Sequence, residues 1–176
     1  MSVKKYIIFA ALFLISYSGF GQTTQKLGYV DSQKILTEFS EAIKAQGDLD
    51  ALTNKWTSHL DTMNQQLQQM YGDYQKQANT MPEDKKLAAQ QNIIKLQQDI
   101  DNFKKAKFAQ QTGEIYKKQE EIFNPVKDKI YKAIEKVAKQ ENMQFVFDKS
   151  GDIILLYADP EYDITYKVLD RLKTGK

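Results

Sequence analysis

A helical pattern of apolar residues runs from about residue 48 to residue 137, and it constrains the fold more than any other feature. On its first limb, apolar positions recur every three or four residues, which predicts one face of a long helix. Pro82, followed by Glu83 and Asp84, is typical of a new helix start, so residues 79–84 are predicted to be the tip of a helical hairpin. The apolar positions of the first limb are Leu49, Leu52, Trp56, Leu60, Met63, Leu67, Met70, Tyr74 and Ala78.

The returning limb has a matching apolar face that weakens in its middle. Between residues 104 and 114, lysines, glutamines and Gly113 replace the aliphatic residues, and Gly47 lies at nearly the same height on the first limb. Both glycines lower helix stability, so we expect a flexible zone here. Pro125 predicts a kink closer to the end of this limb. The apolar positions are Ala89, Ile93, Leu96, Ile100, Phe103, Ile115, Ile122, Val126, Ile130, Ile134 and Val137.

Short strand signals lie on both sides of the helical region, at residues 26–30, 144–147 and 153–157. The last two are joined by a polar segment with Gly151, which predicts a β-hairpin. A final helix is expected over about 163–172. The predicted fold class is therefore α+β and mostly helical, with a small antiparallel β head and a long inserted α-helical hairpin arm.

The predicted organisation places a leader before this domain. Residues 1–21 combine lysines, an apolar run and small residues, which is typical of a secretory signal peptide cleaved before Gln22. The apolar run is shorter than the roughly 20 residues that span a bilayer, although a membrane anchor is the alternative. The head would comprise residues 22–47 and 125–176, and the arm residues 48–124.

The apolar run at residues 153–157 fits a strand that is covered on both faces. Three short strands and one short helix make a marginal core by themselves, so we expect an oligomer that is joined through the heads. The alternative is a monomer in which the C-terminal helix and a helix over residues 32–45 cover the sheet.

Composition excludes several classes of site. The chain has no cysteine, which removes disulfides, thiolate metal sites and cysteine nucleophiles, and His59 is the only histidine and is expected to be exposed. Without the leader, basic and acidic residues balance, and the first limb is the more acidic one, which argues against a nucleic-acid surface. Asp159, Glu161 and Asp163 flank Pro160, where turn and cap roles are favoured over acid–base catalysis. We expect no enzyme activity and no cofactor or metal.

The two ends of the domain carry motifs that resemble the Skp/OmpH family of periplasmic chaperones. The arm is similar to this family in pattern only, because the specific motifs are confined to the first and last parts of the domain. The motifs are Lys26–Asp31 with Ile35 and Leu36, Val146–Gly151, Leu155–Asp159, Asp163–Thr165 and Val168–Leu172.

The resemblance implies a homotrimer in which three helical arms enclose a cavity for an unfolded outer-membrane protein. It implies an ATP-independent holdase in the periplasm with no nucleic-acid partner, and it allows transient contact with membrane lipids. The alternative is a structural coiled-coil spacer or an adaptor protein of the cell envelope, which unbroken aliphatic heptads would favour. The residues that the resemblance places in the head core and its subunit contacts are Leu27, Tyr29, Phe145, Phe147, Ile153 and Leu155.

On the arm, the candidate client-binding residues are methionines and aromatic residues, because adaptable side chains suit many unfolded partners. Tyr71 and Phe108 lie off the main apolar stripes and are the strongest candidates. At the other positions, plain packing between the helices is the alternative. The full set is Trp56, Met63, Met70, Tyr71, Tyr74, Phe103 and Phe108.

Overall fold

The structure is a computed structural model, and it describes residues 25–152 and 154–175. The expected signal peptide and its cleavage site lie outside the described residues, and they stay predictions. The elements are, in chain order, β1 (Leu27–Val30), α1 (Ser32–Glu38), α2 (Ser40–Gln77), α3 (Glu83–Phe108), α4 (Glu114–Gln140), β2 (Phe145–Asp148), a 3₁₀ turn (Pro160–Tyr162) and α5 (Thr165–Thr174).

The sheet is formed by β1 and β2, which run parallel, with Leu27 opposite Phe145. The predicted antiparallel arrangement is therefore wrong. The reason is the path of α4, which packs against β2 and returns the chain to the beginning of β1. There the Gln144 amide donates a hydrogen bond of 2.9 Å to the Lys26 carbonyl oxygen. A long connection that crosses over a sheet in this way joins parallel strands.

The predicted β-hairpin after β2 is also wrong, because residues 154–157 form no strand in the described chain and are exposed. The turn after β2 folds back onto α1 instead of opening into a hairpin. The Asp148 carboxylate accepts a hydrogen bond from the Ser32 amide at 3.1 Å. The Ser150 hydroxyl accepts one from the Gln33 amide, also at 3.1 Å. Both bonds satisfy amides at the start of α1, which have no partner within the helix.

The hydrophobic core lies beneath the sheet, where α1, the beginning of α2, the end of α4 and α5 meet. A single helix over residues 32–45 was expected, but Phe39 is extended (φ −82°, ψ 119°) and separates α1 from α2. This break brings the Phe39 ring into the core, where it is 3% exposed. The buried core residues are Val30, Ile35, Phe39, Ala42, Ala45, Val126, Ile130, Ala133, Val137, Met143, Ile164, Val168 and Leu169.

The arm is the predicted helical hairpin. Its outgoing limb, α2, has 38 residues and is about 57 Å long at 1.5 Å per residue. The chain turns at residues 78–82, within two residues of the predicted tip, and Pro82 caps α3 instead of occupying its first turn. The buried residues of the distal seam are few, namely Leu49 and Trp56 on α2 with Ile93 and Ile100 on α3. Most of the arm surface is therefore in contact with solvent.

The returning limb is interrupted at residues 109–113, inside the zone that was expected to be flexible. Gln111 adopts a left-handed backbone conformation with φ 63°, and α4 begins after Gly113. A Cβ atom at Gly113 would lie 2.7 Å from the Ala109 carbonyl oxygen, so a residue with a side chain does not fit at this position of the interruption. Gly47, in contrast, lies within the continuous α2, and Pro125 lies within α4 without ending it.

A first prediction concerns Gly28 on β1. A Cβ atom there would lie 2.2 Å from the sulfur of Met143, which is 8% exposed and confined by the core. Gly28→Ala should therefore lower the free energy of unfolding by about 1–3 kcal/mol. Urea denaturation followed by circular dichroism measures this change. Gly72→Ala is the control, since Gly72 has open space around it within α2, and it should raise stability by about 0.5–1 kcal/mol. Equal stability of the two variants would contradict the close packing.

Candidate functional site

Three contacts between the limbs fix the register of the arm. The limbs are antiparallel, so a residue of α2 and a residue of α3 lie at the same height when their numbers add up to about 163. The half-buried Met63 and Met70 lie along the same seam. The contacts are Trp56 with Phe108 (5.9 Å between ring centroids), His59 with Phe103 (5.0 Å) and the Tyr74 hydroxyl with the Gln90 amide nitrogen (2.5 Å).

Trp56 is the centre of a packed cluster beside the interruption of the returning limb. Its ring is 8% exposed and meets Phe108 edge-on, with an interplanar angle of 85°. The Lys107 ammonium lies 4.9 Å from the centre of the Trp56 ring and pairs with Glu114 on the far side of the interruption. Trp56 and Phe108 thus hold the end of α3 to α2, and the Lys107–Glu114 ion pair connects α3 to the start of α4. Their expected role in client binding stays a prediction, and their packing supports the alternative.

The other candidate arm residues divide by exposure. Met63, Met70, Tyr74 and Phe103 are half-buried at the seam, where packing between the helices occupies them. Tyr71 is 47% exposed and is free to contact another molecule. The sequence predicts Phe108, like Tyr71, as a strong candidate for client binding because it lies off the main apolar stripe. The helix ends at Phe108, however, and the stripe geometry no longer applies there.

Two exposed apolar residues on α3 escaped the sequence analysis. Leu87 and Ile94 both lie within α3, and they are 55% and 54% exposed. Ile94 directly follows Ile93, which is buried at the seam. The signal that could have found them is their spacing of seven residues, which repeats one face of a helix.

The head presents a second apolar surface, on the face of the sheet that is turned away from the core. Leu27, Phe145 and Phe147 are 47%, 54% and 37% exposed, and the strand register aligns Leu27 with Phe145. Leu155 adjoins them, and Ile153 lies outside the described residues. Tyr29 shares this face but is buried. The surface includes a concavity of about 650 Å³, and its apolar lining consists of Leu27, Tyr29, Phe147, Leu155, Tyr157 and Tyr162. We call Leu27, Phe145, Phe147 and Leu155 the head face.

A polar junction beside the head face ties three chain segments together. The Asp148 carboxylate accepts hydrogen bonds from the Ser32 and Ser150 hydroxyls and from both of their amides. Lys149 lies 3.5 Å from an Asp31 oxygen and 3.6 Å from an Asp163 oxygen. The junction therefore holds the start of α1, the end of β2 and the start of α5 in one place.

Hydrogen bonding changes the acidity of Asp148. Burial by itself raises the pKa of this carboxyl group, but the hydrogen bonds from Ser32 and Ser150 outweigh burial. The pKa of Asp148 consequently lies below its ordinary value of 3.8. A carboxylate that stays ionised and accepts four hydrogen bonds within the head has a structural role.

Asp159 and Asp163, two of the three carboxylates near Pro160, accept hydrogen bonds from backbone amides, which is the role that the sequence favoured. The Asp159 carboxylate accepts a hydrogen bond from the Glu161 amide at 3.0 Å, and Asp163 accepts one from the Thr165 amide at 2.9 Å. Within residues 25–152 and 154–175, no group of three or more acidic or histidine side chains is arranged to hold a metal ion. No helix in this same part of the chain is both long and apolar enough to cross a membrane.

Comparison with known proteins gives the same architecture. The family model described as "Outer membrane protein (OmpH-like)" matches residues 26–172. A crystal structure of an OmpH-like protein from Caulobacter crescentus CB15 is similar, with a TM-score of 0.73 and 12% sequence identity. The match covers 89% of this chain and 88% of that chain. At this identity the likeness shows the fold alone. No curated protein matches the sequence.

A second prediction concerns the polar junction. Because folding lowers the pKa of Asp148, its carboxylate stabilises the fold at pH values above the ordinary pKa, and this contribution is lost as the pH falls through the folded value. Asp148→Asn should therefore be less stable than wild type at pH 7, and the difference should shrink towards pH 3. Urea denaturation at a series of pH values measures it. Ser32→Ala, which removes one donor, should show a smaller difference of the same form. A difference that does not vary with pH would contradict this account.

Proposed function

The chain belongs to the OmpH-like outer membrane protein family, and we propose that it is an ATP-independent holdase chaperone for unfolded outer-membrane β-barrel proteins. In this proposal the helical arms surround the client and prevent its aggregation, without catalysis and without a cofactor. The protein acts in the periplasm, to which the predicted leader at residues 1–21 would direct it. The observation that carries the proposal is a two-helix arm that stands in solvent with large apolar side chains exposed along it.

The packing of the arm supports this role. A holdase binds many sequences weakly and releases them without an energy source, so it needs scattered apolar contacts instead of one shaped pocket. Tyr71, Leu87 and Ile94 are each about half exposed on the distal arm. The methionines at the seam add adaptable side chains that tolerate different partners.

We also propose that three copies assemble through the head face. Exposed apolar surface of this extent on a single chain marks an interaction site. Residues 154–157 add to it, with Leu156 93% exposed and Tyr157 81% exposed. An exposed strand edge beside such a surface favours pairing with another chain. The number of three copies rests on the family resemblance.

The alternative function, an envelope spacer or adaptor, draws support from the continuous 38-residue α2. A rigid spacer is better served by two unbroken limbs with aliphatic seams. The interruption at residues 109–113 and the exposed apolar residues of the outer arm favour the chaperone.

A third prediction tests the function directly. Purified protein without residues 1–21 is mixed with a urea-denatured outer-membrane β-barrel protein, and the denaturant is diluted. We expect turbidity to be suppressed at about one chaperone trimer per client, and light scattering to detect a soluble complex of the corresponding mass. Aggregation that proceeds unchanged at this ratio would support the spacer instead.

A fourth prediction tests the assembly. Leu155→Asp places a charge on a side chain that is 39% exposed in the single chain, where a carboxylate is tolerated. In an assembly through the head face the same charge would be buried without a partner, at a cost of several kcal/mol. Light-scattering mass should therefore fall to that of the monomer. Tyr131→Asp should leave the mass unchanged, because this side chain is 65% exposed and belongs to α4, which packs on the core side of the sheet and not on the head face. An unchanged mass for Leu155→Asp would exclude this interface.

A further inference from the structure

The outer half of α3 carries two apolar side chains that the packing of the arm does not use. Leu87 and Ile94 are 55% and 54% exposed, whereas Ile93, which faces α2, is 5% exposed. Seven residues separate Leu87 from Ile94, which places both on one face of the helix, about 10.5 Å apart along its axis. This face has no partner within the described part of the chain.

The surroundings of these two side chains are uncharged amides. Gln90 and Gln91 lie three or four residues from both Leu87 and Ile94, and Gln98 lies four residues after Ile94. Residues at these separations are neighbours on a helix surface. From residue 87 to residue 98 the only charged side chain is that of Lys95, in a chain with 27% charged residues. Residues 62–72 of α2, at nearly the same height, carry no charged side chain, so this part of the arm is almost uncharged on both limbs.

Tyr71 adds an aromatic side chain at the same height on the other limb. The hydrogen bond between Gln90 and the Tyr74 hydroxyl sets the register at this point. One step of three residues towards the base on each limb brings Tyr71 level with about residue 93, beside Ile94. Tyr71 is 47% exposed, so its ring is available together with the two aliphatic residues.

From this juxtaposition we propose that the distal α3 stripe binds extended apolar segments of the client by two kinds of contact at once. We define the distal α3 stripe as Leu87, Gln91, Ile94 and Gln98, with Tyr71 beside it, since the Gln90 amide already bonds Tyr74. The aliphatic residues and the tyrosine ring cover apolar client side chains, and the glutamine amides bond the client backbone. This inference rests on the proposed holdase function and names the surface that performs it.

Chemistry explains why apolar residues and amides belong together here. An unfolded chain that places its apolar side chains on a surface also removes backbone N–H and C=O groups from water, and these groups then need partners. Glutamine offers two donors and an acceptor, so it can bond either group in any register. The strands of β-barrel proteins alternate apolar and polar residues, so an extended client segment has an apolar side to present. A neutral stripe accepts such segments whatever the charge of their polar side.

The stripe also predicts how binding responds to salt. Apolar contacts and hydrogen bonds between neutral groups are screened little by ions, whereas attraction between exposed charges falls steeply with ionic strength. Binding through the distal α3 stripe should therefore change less than about twofold between 0.05 and 0.5 M NaCl. A salt-dependent affinity would instead assign the client to the lysine-rich segments of the returning limb.

The test measures the Kd of a fluorescently labelled, urea-denatured outer-membrane β-barrel protein by anisotropy after dilution. Leu87→Gln/Ile94→Gln should raise the Kd about tenfold or more, and Ile94→Gln alone about threefold. The matched control is Ile43→Gln, because Ile43 is 53% exposed but lies at the base of the arm, and its Kd should equal that of wild type. Circular dichroism verifies that helicity is retained.

A second variant isolates the amides. Gln91→Ala/Gln98→Ala should raise the Kd a few-fold, and alanine has the higher helix propensity, so unfolding of α3 cannot account for the weaker binding. Wild-type affinity in both double variants, or an equal loss in Ile43→Gln, would overturn the assignment of the stripe. A change in the mass of the client-free protein would overturn it too, since the stripe would then be a contact between copies. Absence of binding by wild type would instead refute the holdase function itself.

Discussion

The whole structure depends on one core that is assembled from the two ends of the described chain. Its buried residues come from positions 30–45 and 126–169, and the half-buried Ile122 and Phe123 at the end of the arm pack against it. Bringing distant segments together costs loop-closure entropy, although this cost rises only slowly with length. Here the intervening chain is itself a paired helix that begins and ends at the core, so its ends are already close. The arm can therefore extend far into solvent without weakening the head.

The arm and the head differ in what stabilises them. The head buries aliphatic side chains on several elements, while the distal arm buries a single line of residues between two helices. Ion pairs add little to the arm, because pairs such as Lys118–Glu121, at 2.6 Å, are exposed and are screened by water and salt. The arm thus retains apolar surface that a compact domain would have covered. In the proposed chaperone function, this exposed apolar surface is what binds the client.

Helical periodicity was sufficient to predict the arm, because a repeat of three and four residues has only one structural solution over such a length. Pro82 located the tip to within two residues, and the loss of aliphatic residues after Phe103 located the interruption. The sheet could not be predicted in the same way. Its direction is set by how α4 passes the strands, which is a matter of three-dimensional path and not of local pattern.

The errors in the head and on the arm have separate physical causes. The segment at residues 153–157 has the composition of a buried strand, yet one chain supplies nothing to cover it, and Asp148 and Ser150 direct the preceding turn to α1 instead. Phe39 breaks a helix whose pattern is continuous, because its burial outweighs helix propensity. Leu87 and Ile94 were overlooked because the neighbouring seam residues already explained the apolar content of α3. Exposure depends on which face meets the partner helix, and the sequence fixes that face only to within one residue.

The unequal limbs of the arm have a mechanical consequence. At residues 109–113, α2 is the only continuous helix between the tip near Pro82 and the base in the described chain, since the returning limb has no continuous ladder of backbone hydrogen bonds there. At this height the arm consists of one continuous helix and a short non-helical segment of the returning limb beside it. When the arm bends, the side that shortens or lengthens more easily is therefore the returning one.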